Sequence, residues 1–269
     1  PTIVDLPQAG GSVRTVKDIS LGNDFTCAVM DDGSAYCWGE GGWGQLGQGD
    51  TSSSNSVGDP IDALGGKAVA ISAGGWSVCA IIENGSVKCW GDGRQGQNGN
   101  NETGVDGDQY SPGEVNLGAG RTAVAISTGN QHTCVILDDG TISCWGYNNR
   151  GQLGLGNTTT QPLPVQLSSF AAGEVIGLEL GREHSCALIF DGSMSCWGDN
   201  NNGQIGNGEV SGSPVTHPGS GLGWGVEIPE GAKIQSSERD FDDDGSLNIL
   251  DGRGEGGQEG SKLVRAKVA

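Results

Sequence analysis

TCAVMDDGSAYCWG, from Thr26 to Gly39, comes back three times along the chain. The other copies are VCAIIENGSVKCWG from Val78 to Gly91, TCVILDDGTISCWG from Thr133 to Gly146, and SCALIFDGSMSCWG from Ser185 to Gly198. The first cysteines lie 52, 55 and 52 residues apart, and nine residues always separate the two cysteines of a copy. A period near fifty residues marks a repeat architecture, in which each unit buries its faces against its neighbours.

β-prone apolar residues flank Asp31-Asp32-Gly33, and the equivalent places hold Glu83-Asn84-Gly85, Asp138-Asp139-Gly140 and Phe190-Asp191-Gly192. This predicts a hairpin with a three-residue loop, whose last residue takes the left-handed conformation that glycine adopts at least cost. With Met30 and Ser34 closing the loop, Val29 faces Ala35, Ala28 faces Tyr36, and Cys27 faces Cys37. Facing residues on antiparallel strands have Cα atoms about 4.5–5.5 Å apart, within disulfide reach. The same count gives Cys79–Cys89, Cys134–Cys144 and Cys186–Cys196. Eight cysteines permit about 105 pairings, and the fourfold register selects one. The alternatives are reduced, buried cysteines and a zinc site; the latter lacks a C-x2-C pair and histidines at ligand spacing. A bridge closing a loop of about ten residues contributes at most about 2–3 kcal/mol. Such bridges stiffen hairpins without tying the chain ends together.

The 269 residues are 34% hydrophobic and 5% aromatic, sparse for one conventional core but adequate for many small stacked sheets. The 51 glycines recur at fixed repeat positions, which marks turns rather than disorder. A formal charge of −19 repels phosphate backbones and anionic membranes, so no nucleic-acid partner is expected. No apolar run is long enough to span a bilayer, so membrane insertion is not expected either. The stretch starts at Pro1 without an apolar leader; any signal peptide is expected to have been removed or to lie outside it. Paired cysteines imply an oxidising compartment, and hence an extracellular or cell-surface location. The sequons at Asn84, Asn101 and Asn157 fall in expected turns or loops, open to glycosylation.

Before each hairpin lies a strip that begins with proline. The strips are PTIVDLPQAGGSVRTVKDIS from Pro1, PIDALGGKAVAIS from Pro60, PGEVNLGAGRTAVAIS from Pro112, and PVQLSSFAAGEVIGLEL from Pro164. Each holds a short strand, a glycine-bearing turn and a second strand with alternating apolar residues. One unit is therefore expected to be four strands: the proline strip, the V-x-I-S strand, the first-cysteine strand and the CWG strand. This places units at about 1–39, 60–91, 112–146 and 164–198 within a repeat domain spanning 1–215. Pro214-Val215 is expected to open a fifth unit, left unfinished, with 216–239 as linker or remainder.

Glycine-rich connections follow each CWG: EGGWGQLGQGD, DGRQGQNGNN, YNNRGQLGLGN and DNNNGQIGNGE. Four registered copies of C-x9-CWG, three of them leading into GQLG or GQIG, resemble the regulator of chromosome condensation (RCC1) repeat. The resemblance covers roughly residues 1–215. It implies an all-β, RCC1-like β-propeller of four-stranded blades, a fold known in that family with seven blades. Four repeats rather than seven leave three outcomes: a fragment of a longer protein, which is the expected one and gives an incomplete ring or arc completed by further blades; a tight four- or five-bladed ring; or closure through a second subunit. The cysteine pairs suggest a secreted branch of the family. The acidic charge and the lack of a basic arm argue against carrying over the guanine-nucleotide exchange activity known for the founding member.

Downstream, Asp240, Asp242 and Asp244 alternate ahead of Gly245, then come Ser246, Asn248 and Asp251 at the twelfth position. This D-x-D-x-D-G pattern suits Ca²⁺, and it resembles loops of dockerin-like modules with aspartate at the last position. The alternative is a solvated acidic tail, because GRGEGGQEG from Gly252 would break an exit helix. Residues 252–269 are expected to be a flexible tail. No other cofactor is implied.

His132 and His184 precede a first cysteine by two residues, a place held by Phe25 and Ser77 in the other copies. They are expected to be structural, hydrogen-bonding their own blade. Trp38, Trp90, Trp145 and Trp197 recur too regularly for a binding site and are expected to pack between blades. The non-repeating residues are the better candidates for ligand binding. Trp43, Gln95, Arg150 and Asn202 share one place in the connections, just before Gly-Gln, and Trp76 is a lone aromatic in its turn. Loops on a rigid scaffold commonly carry recognition. The insert from Asn98 to Tyr110 is expected to protrude on the same face. No nucleophile, phosphate loop or zinc-protease motif is present. The chain reads as a secreted or surface binding module for a protein or glycan, not an enzyme. A polysaccharide hydrolase or lyase, with two carboxylates beside an aromatic platform, is the first alternative; an exchange factor is the second.

Overall fold

The hairpin count holds in the computed structural model, which describes residue 4, residues 14–171 and residues 173–218. Met30 N–H donates to the Ser34 carbonyl at 2.8 Å, Val29 pairs with Ala35, and Gly33 has φ of 83°. Cys27–Cys37, Cys79–Cys89, Cys134–Cys144 and Cys186–Cys196 are disulfides, each with Cα atoms 4.1 Å apart.

Four antiparallel sheets follow one another. Blade 1 holds β1 (Val16–Leu21), β2 (Phe25–Met30) and β3 (Ala35–Gly39); its fourth place is an isolated bridge between Gly39 and Ser54. Blade 2 holds β4 (Ala68–Ala73), β5 (Ser77–Ile82), β6 (Val87–Gly91) and β7 (Gln109–Val115). Blade 3 holds β8 (Ala123–Thr128), β9 (His132–Leu137), β10 (Ile142–Gly146) and β11 (Gln161–Gln166). Blade 4 holds β12 (Val175–Leu180), β13 (His184–Ile189), β14 (Met194–Asn200) and β15 (Ser211–Val215).

This pairing corrects the expected grouping of strands. The strip that holds Pro112 is β7, and it pairs with the CWG strand before it, with Val87 opposite Val115. The strip that holds Pro164 likewise completes blade 3. Hence Pro214-Val215 opens no fifth unit; it lies in β15, the outer strand of blade 4. The linker beyond residue 218, the calcium pattern Asp240–Asp251 and the tail 252–269 lie outside the described residues. Among the described residues, no helix is long and apolar enough to cross a membrane.

Two devices lock successive blades. The serine of the V-x-I-S strand accepts a hydrogen bond from the next blade's inner strand. Ser20 accepts from Ala73 N–H at 2.8 Å, Ser72 from Thr128 N–H at 3.0 Å, and Ser127 from Leu180 N–H at 3.1 Å. The second device is the CWG tryptophan. Trp90, Trp145 and Trp197 are fully buried, and their indole N–H groups donate at 2.9 Å to the carbonyls of Gln45, Gln97 and Gln152 in the preceding blade. The last glycine of each GQLG-type turn explains itself here. A Cβ on Gly47, Gly99 or Gly154 would sit 2.8–2.9 Å from the indole nitrogen of the next blade, and all three have positive φ. The turn must pass bare backbone over the ring.

Apolar clusters fill the seams between blades, with Val29, Ile71, Ile82 and Trp90 in one and Ile142, Leu178 and Trp197 in another. Contacts between sheets run from β1 to β4, β4 to β8 and β8 to β12; no comparable contact joins β1 to β12. The described residues form an arc. Its two ends show it: Ile19 is 57% exposed where Ile71 is 4%, and Leu188 is 41% exposed where Ile136 is 4%.

Candidate functional site

Each inner strand runs towards one end of its sheet, turns, and comes back as the first-cysteine strand. The CWG strand then runs to that same end, where the glycine-rich connection leaves. Inner turns and connections therefore share one face, and the Asp-Asp-Gly hairpins occupy the opposite one. On the shared face the turns border an open cavity of about 540 Å³, lined by Leu21 to Asn23, Ala73 to Trp76, Thr128 to Asn130 and Leu180 to Arg182.

The turns are tied to each other by backbone. Asn23 N–H donates to Gly75 carbonyl at 3.1 Å, Gly75 N–H to Asn130 carbonyl at 3.2 Å, and Asn130 N–H to Arg182 carbonyl at 3.3 Å. The rim is thus one hydrogen-bonded series, with small residues against the neighbours: a Cβ on Gly74 would meet the Gly129 carbonyl at 2.2 Å. Side chains that vary between blades project around it. Trp76 is half-buried at the cavity wall, while Arg182 and Asn23 are exposed.

The other sequence candidates sit further out, on seams. Trp43 is half-buried rather than a bare aromatic: the Arg94 guanidinium of the next blade lies 3.8 Å from its ring centroid. That cation–π contact covers one ring face. Arg150, at the equivalent place in blade 3, reaches blade 4, with Nε 3.8 Å from Glu183 and 4.0 Å from Asp199. Gln95 is half-buried and Asn202 exposed; their backbone N–H groups donate to Gln97 Oε1 and Gln204 Oε1, each at 2.9 Å. These four positions share a face and a local geometry but do not converge on one point. Trp76, in the inner turn, is the one that lines the cavity.

Residues missed from sequence are those whose partners come from another blade or a long loop. Arg94 is one, with Nε 3.6 Å from Asp108 and 4.0 Å from Asp92. Burial raises the Asp92 carboxyl above the usual range, aided by Asp108, whose carboxylate it hydrogen-bonds. The insert does not simply protrude, because Asn98 is buried and its amide donates to Gly91 and Gly107 carbonyls at 3.0 and 2.9 Å. In blade 3 that bridging is done by Asn148, reaching the carbonyls of Asn157 and Thr159. Asn98 does it from the opposite side, and residue 93 is glycine: a Cβ there would lie 1.7 Å from the Gly107 carbonyl oxygen and 2.6 Å from the Asn98 amide nitrogen.

His132 also crosses a seam, contrary to the expected bond within its own blade. Its Nε2 lies 3.0 Å from Ser185 Oγ, and that hydroxyl donates to Gln152 carbonyl at 2.8 Å. The serine proton is committed, so His132 donates through Nε2–H, and its buried Nδ1 has no partner among the described residues. Burial, and then His184, push its pKa from 6.5 down to about 3. The folded state refuses a proton that the unfolded chain accepts, so the stability from the neutral ring is complete above pH 6.5. It is lost as pH falls from there towards 3, at about 1.4 kcal/mol per pH unit. The native chain should lose about 2 kcal/mol relative to His132→Gln between pH 7 and pH 5. Urea midpoints at the two pH values check this; equal pH slopes would contradict it.

The repeat signal agrees with known proteins. Models of the regulator of chromosome condensation (RCC1) repeat match residues 16–48, 68–97, 123–152 and 175–204, and a second such model matches 139–188. The chain is 31% identical over 203 residues to the ultraviolet-B receptor UVR8 of Arabidopsis thaliana, covering 75% of this chain and 45% of that protein. It is 29% identical over 212 residues to the human E3 ubiquitin-protein ligase HERC2, covering 77% of this chain and 4% of that one. Among solved structures, yeast RCC1 (Prp20) bound to Kap60 superposes with a TM-score of 0.69 at 21% identity, covering 81% of this chain and 50% of that one. Human WBSCR16 gives 0.67 at 22% identity, covering 76% and 52%. The chain thus spans about half the length of UVR8 and of these solved chains, and far less of HERC2. With the repeat matched across all four blades, and the blades stacked as in the solved propellers, the chain belongs to the RCC1 repeat family.

Proposed function

We propose that this chain is the recognition part of a protein-binding propeller that works outside the cell or on its surface. One observation carries the reading: the inner turns of all four blades border a single cavity, with Trp76, Arg182 and Asn23 projecting around it. Four disulfides fit an oxidising location and hold each blade stiff, so little loop entropy is lost on binding. The solved relative Prp20 is described with Kap60, and with Gsp1p and histones. That favours a protein partner, as does the Arg94 cover on Trp43, the ring a sugar would stack on. A net charge of −19 selects for a cationic partner surface and speeds its approach at low salt.

Photo-crosslinkers at positions 76 and 182 should capture an extracellular protein that crosslinkers at Asp139 and Asp191, on the hairpin face, do not. Trp76→Ala with Arg182→Glu should weaken that complex at least about tenfold, the loss of an aromatic anchor and a charge. Capture from the hairpin face alone would refute the assignment.

A further inference from the structure

The two ends of the arc carry the same two surfaces that meet at each internal seam. Within the chain that interface is built three times, and each time the leading side of a blade meets the trailing side of the next. The trailing side of blade 2 presents Ala68, Ile71, Ala73 and Trp90, all buried. Their equivalents in blade 1 are Val16, Ile19 and Leu21, exposed by 42%, 57% and 59%, and Trp38, which is half-buried. The leading side of blade 3 presents Cys134, Ile136 and Ile142, all buried. Their equivalents in blade 4 are half-buried Cys186, exposed Leu188 and half-buried Met194. The Gln152 carbonyl takes the indole N–H of Trp197, and Gln204 stands at the same place in blade 4.

We propose that a second copy of this chain closes the arc, with blade 4 of each copy packing against blade 1 of the other to give a ring of eight blades. The surface patterns fit as the internal seams do. The leading side of blade 4 offers Leu188, Met194 and the Gln204 turn. The trailing side of blade 1 offers Ile19, Leu21 and the indole of Trp38. Such a head-to-tail contact either closes or grows into a filament. Closed propellers use about four to eight blades, so two arcs of four lie within that range. Closure would also complete the cavity, whose hydrogen-bonded rim ends at Asn23 on one side and Arg182 on the other.

The test is the solution mass of the full 269-residue chain by light scattering across a concentration series. A doubled mass is expected at micromolar concentration, dissociating on dilution. Ile19→Arg and Leu188→Arg, both at exposed sites, should each give a folded monomer, because each lacks one half of the contact. Mixing the two monomers should restore a dimer through the one intact pairing. A native chain that stays monomeric would assign the flanks to further blades of a longer polypeptide and overturn the proposal. So would larger open polymers, or variants that still dimerise alone.

Discussion

Full reduction of the four disulfides should unfold the propeller at ordinary temperature. Each closes a loop of about ten residues and contributes about 2–3 kcal/mol through the unfolded state. Together they amount to about 10 kcal/mol, comparable to the entire stability of a typical domain. The effect should be graded, because the bridges are not equally sheltered. Cys27, Cys79 and Cys134 are fully buried, whereas Cys186 is half-buried at the end of the arc. Mild reductant should open Cys186–Cys196 first and leave a chain that still melts cooperatively; strong reductant should abolish the transition. Circular dichroism melts with and without reductant, paired with counts of alkylated thiols, measure both steps. An unchanged melting temperature with eight alkylated thiols would remove the bridges from the stability of the fold and weaken the extracellular assignment.

The second large effect concerns tryptophans that sequence alone treats as equivalent. Trp145→Ala should cost about 3–5 kcal/mol, the range for removing a fully buried large aromatic. It leaves a cavity in the seam between blades 2 and 3 and strips the Gln97 carbonyl of its indole donor. Trp38→Ala should cost about 1–2 kcal/mol, because Trp38 is half-buried at the end of the arc. Denaturant titration of the two variants at low protein concentration gives the comparison. Equal losses would mean that the blade-1 flank is covered as fully as an internal seam.

These contrasts show where the sequence is informative. The hairpins were readable to the residue, because a three-residue loop with glycine in last place fixes the register of the two strands beside it. Four copies of the same count then settled the disulfides. The outer strand reads from sequence as part of the following blade, whereas it completes the preceding one. A proline strip followed by a glycine turn and V-x-I-S looks like a hairpin, yet the strip pairs backwards with β6 or β10 across a long connection. Either neighbour can satisfy an antiparallel edge, and the local pattern does not distinguish them. The site shows the same divide. Trp76 is marked by its isolation in a turn, whereas the cover that Arg94 places on Trp43 and the bond from His132 to Ser185 join residues of different blades. Asn98 stands in GQNG where the other connections have GQLG or GQIG. Its meaning depends on the Gly91 and Gly107 carbonyls, which only the folded loop brings to the amide.

Blades clasped one hairpin at a time underlie the proposed stiffness of the recognition face and the proposed extracellular location. Mass-spectrometric mapping of non-reduced peptides tests that arrangement most directly. It should return Cys27–Cys37, Cys79–Cys89, Cys134–Cys144 and Cys186–Cys196 and no free thiol. A bridge joining cysteines of different repeats, or eight free thiols in protein taken from its native location, would contradict it.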